Sequence, residues 1–314
     1  MQKTAKIIKK TCIVLLIVIL AIIILLFGGL NIAKFFIYSD YYSLETDICT
    51  NPGLGDGFVC QGICADEEND KIFVSGYMKD NSASRVYITD LGNNSYHVKL
   101  TSDGKDFTGH AGGISLYKDT VYLADDEHLY TFPLTSLTNA KNGDAVDIGK
   151  GTPVNNQASF CYADDNYVYV GEFHDGEAYV TNHPYETSDG TYYAIVSRYK
   201  HDDLEHPDKI YSIRNKVQGI CFTPDGKVVL STSYGLTDSV YYVYNESEAV
   251  DSGKTFYDAP VYYLTECIKE IKGPAMAEGL DYYDGKVITL TESASDKYIF
   301  GKFFFANKII GLDI

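Results

Sequence analysis

Five places in this 314-residue chain set a polar or small residue just ahead of a short apolar run. They are Gln61-Gly62-Ile63-Cys64, Gly112-Gly113-Ile114-Ser115, Ala158-Ser159-Phe160-Cys161, Gln218-Gly219-Ile220-Cys221 and Glu278-Gly279-Leu280-Asp281. Where the leading position is small, the residue two back shares its strand orientation, which adds His110 and Asn156. Gln61, His110, Asn156, Gln218 and Glu278 are therefore candidates to converge on one mouth. A second apolar run follows each first one and ends in further polar groups: Ser75 and Tyr77, Asp125 and Asp126, Glu172 and His174, Ser233 and Tyr234, Glu292 and Ser293. Carboxylates and amide oxygens in one depression suit a hard cation such as Ca²⁺. A His beside them suits a general base. A plainer role competes at every position: strand-end polar groups also bond backbone or trapped water and hold strands in register.

The element that must position these residues is a repeat. Each unit reads as an apolar strand, a polar turn, then an alternating strand rich in Val, Ile and Tyr. The turns carry Asp225-Gly226, Asp284-Gly285 and Asp165-Asn166, chemistry that tolerates positive φ. Third strands are expected over 85–89, 128–132, 194–199, 240–244 and 308–313. Fourth strands are expected over 96–100, 145–148, 209–213 and 260–264. The second positions of the units are spaced by 51, 46, 60 and 60 residues. Four antiparallel strands recurring at such an interval predict an all-β chain, a five-bladed β-propeller. The last unit is too short for a fourth strand, and 41–48 is the expected donor, closing the ring by joining the two ends of the chain. A six-bladed ring, with a degenerate blade hidden in 171–193 or 245–276, is the alternative.

The stretch 217–231, reading Val-Gln-Gly-Ile-Cys-Phe-Thr-Pro-Asp-Gly-Lys-Val-Val-Leu-Ser, resembles propeller repeats of the NHL and YVTN types. More distantly, the repeats resemble gluconolactonase and paraoxonase-like propellers. The likeness covers most of 61–314 and implies a propeller, in groups that include lactonases, esterases and binding scaffolds. In the paraoxonase-like enzymes Glu, Asn and Asp at strand entrances hold calcium. Carried over, this implies Glu278 and Asn156 as metal ligands and His110 as the catalytic base. Gln61 and Gln218 depart from that pattern. With Glu172, His174 and Glu292 they are the candidate ligand-binding residues.

The formal charge is −17, from 43 acidic and 26 basic residues. That balance argues against nucleic acid, whose phosphates need a basic face. Residues 1–34 carry five Lys and no acid, which leaves 21 basic against 43 acidic residues, a net of −22, for the rest. No residue between Lys10 and Lys34 is charged, and 13–27 is unbroken apolar sequence. At about 1.5 Å per residue, roughly 20 such residues cross a bilayer. The run continues through Gly28-Gly29-Leu30-Asn31-Ile32-Ala33 into the still apolar Phe35-Phe36-Ile37 with no clear cleavage site, so an uncleaved signal anchor is expected. Four of the five Lys precede it, which predicts a cytoplasmic tail over 1–10, a transmembrane helix over 11–37 and an extracytoplasmic propeller over 38–314.

Cys64, Cys161 and Cys221 occupy equivalent positions and are expected to be buried thiols. Cys49 and Cys60 flank a Gly/Pro-rich loop and are a candidate disulfide. No Cys or His spacing suits zinc, and no G-x-S-x-G, P-loop, H-E-x-x-H or EF-hand string occurs. The insertion over 172–193, with His174, His183, Tyr179, Tyr185, Tyr192 and Tyr193, is a candidate lid or binding loop. The expected function is a membrane-anchored binding module for a small molecule, glycan or protein, the absence of Trp weakening the glycan version. A calcium-dependent lactonase or esterase is the alternative.

Overall fold

The computed structural model describes residues 2–188 and 190–314. Met1, at the head of the expected tail, and Asp189, in the long insertion, lie outside the described residues.

Five antiparallel blades form the body, and their inner strands touch one another in a closed ring. The inner strands are Phe58–Asp66, Gly113–Tyr117, Phe160–Ala163, Val217–Phe222 and Ala277–Tyr283. The second strands are Lys71–Met78, Thr120–Asp125, Tyr167–Gly171, Lys227–Thr232 and Lys286–Thr291. Third strands follow at Arg85–Asp90, His128–Pro133, Ala194–Lys200, Ser239–Asn245 and Lys308–Leu312, close to their expected positions. Inner and second strands are buried on both faces, so Val, Ile, Leu and Tyr fill successive positions there. The turn Asp284-Gly285 has φ of 47° and 76°, the positive pair a tight hairpin needs. The expected Asp165-Asn166 turn works differently: Asp164 Oδ1 accepts from the amides of Asn166 and Tyr167.

The repeated glycines have a packing cause. A Cβ on Gly62 would lie 2.5 Å from the Ile114 amide nitrogen, and one on Gly219 would lie 2.8 Å from that of Leu280. Glycine at this position lets neighbouring inner strands approach around the axis. Two other repeated positions fasten blade to blade. Ser75 Oγ donates to the Ala111 carbonyl, and Ser231 Oγ donates to the Glu278 carbonyl. Ser115 Oγ accepts from the Ala163 amide, and Asp281 Oδ2 accepts from the Ala65 amide. Cys64, Cys161 and Cys221 hold that second position in the other blades and are buried free thiols, as expected.

The outer strands differ in part from expectation. Ser95–Ser102 and Lys209–Ile213 lie where predicted, but the second and fourth blades end in Thr152–Pro153 and Cys267–Gly273. The segments expected there, Ala145–Asp147 and Ala259–Tyr263, pair in parallel with the outer strands of the preceding blades. Alternation marks a strand but not its partner. In each case an insertion from one blade covers the open edge of its neighbour. The stretch 245–276 thus holds no sixth blade, and the other long insertion forms only a small hairpin, Tyr185–Thr187 with Gly190–Tyr192. Ring closure is as predicted in kind: Glu45–Thr50 pairs with Lys308–Leu312 and completes the last blade. The strand begins later than expected because Ser39–Leu44 forms a short helix that buries Tyr41 against Tyr241. Cys49 and Cys60 do not form the candidate disulfide. Both are buried thiols, and Cys60 Sγ donates to the Thr291 carbonyl.

A helix over Gln2–Ile37 precedes the ring, and its apolar stretch is exposed and long enough to span a bilayer. Its last turns dock on the propeller: Asn31 Nδ2 donates to the Lys302 carbonyl, and the Phe305 amide donates to Asn31 Oδ1.

Candidate functional site

Inner strands enter, and second strands leave, on one face of the ring, and there a cavity of about 480 Å³ opens on the axis. All five blades line it. Of the predicted residues, Gln61, His110, Gln218, Glu278 and Glu292 reach it, together with Tyr77, Asp125, Asp126, Ser233 and Tyr234 from the second-strand exits.

Its floor carries a pair of glutamates. Glu278 is buried, and Glu292 is partly so. Burial, with the Glu292 charge beside it, pushes the Glu278 carboxyl well above the usual range. Burial also pushes Glu292 up to about 7, against the opposing pull of Tyr298, Lys297 and Gln61. Gln61 Nε2 donates to Glu292 Oε2 at 3.1 Å. From Glu292 a chain of polar contacts runs through Tyr298 to the Tyr77 hydroxyl at 3.3 Å, which in turn accepts from Lys297.

A second carboxylate shapes the rim. Asp125 Oδ1 accepts from the Ala111 amide at 2.9 Å, and burial pushes its carboxyl up to about 6. Ala111 is left-handed, with φ of 50°, and Met276, just ahead of Glu278, has φ of 69°. Ala111 lies between the lining residues His110 and Gly112, and Met276 lines the cavity itself. The Asp125-held turn presents His110 at the rim, where its ring lies 4.7 Å from that of Tyr77. Partial enclosure, then the Lys297 charge, lowers the His110 pKa.

Three predicted residues are placed elsewhere. Asn156 is buried inside its blade, donating to the Val170 carbonyl while its Oδ1 accepts from the Tyr199 hydroxyl. Glu172 Oε2 accepts from the Ile195 amide and faces His183 Nδ1 at 3.0 Å. His174 pairs with Thr181 and stacks on Tyr193. Glu172 and His174 thereby pin the long insertion to the blade, and from that region Phe173 and Tyr179 reach the cavity. The strand-end rule fails at these positions because a bulky insertion offers local partners. Lys297, Tyr298 and Met276 were missed. They lie in loops outside the repeat, where no spacing marks them.

Calcium does not fit this arrangement. Asn156 is spent within its blade, and Gln61 turns its amide N–H toward Glu292. Among the described residues no group of three or more His, Cys, Asp or Glu is placed to hold a metal ion.

No family model matches the chain, and no curated protein matches it. Among solved structures it is similar to the PQQ-bound aldose sugar dehydrogenase of Streptomyces coelicolor, with 14% identity, TM-score 0.45, and 78% of this chain and 76% of that one covered. It is also similar to Myxococcus xanthus glutaminyl cyclase, with 7% identity, TM-score 0.44 and coverage of 78% and 90%. The Neurospora crassa Pan2 WD40 domain matches at 9% identity, TM-score 0.39 and coverage of 79% of each chain.

Proposed function

We propose that the chain is a single-pass membrane protein whose propeller, residues 38–314, lies on the extracytoplasmic side and binds an amine or other organic cation in the central cavity. The carrying observation is the balance of charge in that cavity: Asp125, Asp126, Glu278 and Glu292 face one lysine, Lys297. Two glutamates that repel each other in a partly desolvated floor are relieved by a proton or by a cation. The rim adds Phe173 and Tyr179, whose ring faces attract ammonium groups, beside Tyr77, Tyr298 and Tyr234, whose rings already hold the Lys297 and Lys216 ammoniums. The amine belongs to a small molecule or to a lysine side chain of a partner protein. The four Lys ahead of the apolar helix support a cytoplasmic N-terminus. The calcium-dependent hydrolase, with Glu278 and Asn156 on the metal and His110 as base, lacks its assembled ligand set.

Thermal unfolding of the full chain in detergent, with putrescine, choline, glucose or glutarate added, tests this reading. Stabilisation by the two cations alone, lost in Glu278→Gln, supports it. No stabilisation by either cation, or equal stabilisation by glucose or glutarate, refutes it. Stoichiometric bound calcium together with ester turnover moves the reading to the hydrolase.

A further inference from the structure

We propose that the cavity face of the propeller docks on the surface of the bilayer its own helix spans, with Ile299 and Phe300 immersed at the lipid interface. The inference rests on the anchor reading above and goes beyond it, because a tethered domain need not touch the membrane.

Two loops on the cavity face surround the helix exit. In the last blade, the turn Phe300–Phe304 packs along the helix: Phe303 lies 4.3 Å from Phe27, and the Asn31 side chain bonds the backbone at Lys302 and Phe305. In the fourth blade, Asp238 accepts from the Tyr38 hydroxyl at 2.9 Å. These contacts fix depth. Roughly 20 residues of helix fill the hydrocarbon core, so a span that begins just after Lys10 ends near residue 30. Phe27 and Asn31 therefore sit at the far boundary, and the turn beside them sits at the same level. The large apolar side chains left open there are Ile299 at 71% exposure, Phe300 at 61% and Leu236 at 48%, with Asp296, Lys297, Thr237 and Asp238 exposed beside them. Phe300 stacks on Phe303, continuing the aromatic row that begins at Phe27. Aromatic and apolar side chains at this depth are what a membrane interface takes up. The same two loops supply Lys297, Tyr298, Tyr234 and Gly235 to the cavity, which consequently opens toward the headgroup layer.

The chain has no Trp, so single tryptophans report depth without background. The full chain is reconstituted in phosphatidylcholine vesicles brominated either near the headgroup or at the chain centre. Three variants are compared: Phe300→Trp, Ile22→Trp in the exposed middle of the helix, and Leu91→Trp on a 40%-exposed turn of the opposite face. The proposal predicts about two-fold or greater quenching of Phe300→Trp by the shallow bromines, with Leu91→Trp unaffected, as expected for an interfacial residue. Ile22→Trp is quenched by the central bromines if the helix spans. Ile22→Trp quenched with Phe300→Trp no more affected than Leu91→Trp overturns the docking and leaves the anchor standing. Ile22→Trp unquenched overturns the anchor, and the docking with it.

Discussion

Gln61, in the first blade, donates its amide to Glu292, in the last, at 3.1 Å. The bond joins the two blades that meet where the ring closes. It brings the electronegative floor of the cavity and the seam of the fold to the same place, so ligand binding and closure are expected to be linked there.

The first prediction concerns pH and stability. Glu278, Glu292, Asp125 and Asp281 all have carboxyls raised by burial, Glu292 and Asp281 to about 7 and Asp125 to about 6. A raised acid binds its proton more tightly in the folded state, so its stabilisation is present at low pH and is lost as pH climbs through the folded value. Asp80, Asp90, Asp203 and Asp225 are lowered by their hydrogen bonds and act in the opposite sense, losing stability as pH falls below the ordinary Asp value. The melting temperature should therefore rise from about pH 8 to about pH 5 and fall below about pH 4. A flat profile between pH 8 and 5 would contradict the assignment.

Asp281 isolates one part of that profile. Its Oδ2 accepts from the Ala65 amide, a bond an amide oxygen can replace. Asp281→Asn removes the charge and keeps the acceptor. It should gain about 1 kcal/mol at pH 8 and little at pH 5, discounted from the full linkage because the side chain is only partly buried. Denaturant unfolding at the two pH values decides, and equal effects at both would sink the explanation.

Gly62 tests the packing of the inner ring. The backbone it faces cannot move without displacing the second blade, so Gly62→Ala should cost about 2–3 kcal/mol as an overpacking change. Gly285→Ala meets no atom within 4 Å and instead forces a left-handed alanine; its cost should stay near 1 kcal/mol. The reverse ranking in chemical denaturation would remove the close-approach account of the repeat.

Tyr41 tests closure by the two chain ends. It is buried, stacked on Tyr241 and seated over Gly273. Tyr41→Ala should cost about 3–4 kcal/mol by cavity formation. It should also raise amide exchange first along Glu45–Thr50 and its partner strand Lys308–Leu312. Uniform loss of protection across all blades would argue against a separable seam.

Much of this architecture was legible in the residues, for identifiable reasons. The repeat, the third strands and the donor of the closing strand follow from period-two alternation, Asp-Gly turns and glycines that only close strand approach explains. Two outer strands were misplaced because Ala145–Asp147 and Ala259–Tyr263 carry the same alternation yet pair with a neighbouring blade, a choice made by the edge they cover. At the site, strand-entrance logic found Gln61, His110, Gln218 and Glu278. It failed for Asn156, whose amide is satisfied within its own blade, and for Glu172 and His174, which the long insertion engages. Lys297 and Tyr298 escaped because a loop outside the period leaves no spacing to read.

Calorimetric titration of putrescine into the full chain in detergent, beside Glu278→Gln and Glu292→Gln, tests the central claim most directly. The account predicts binding to the parent that weakens as pH falls through about 7, where Glu292 takes up its proton. It predicts at least a tenfold loss of affinity, about 1.4 kcal/mol, in either variant. Parent and variants that bind alike, or affinity that does not change across that pH range, would contradict it.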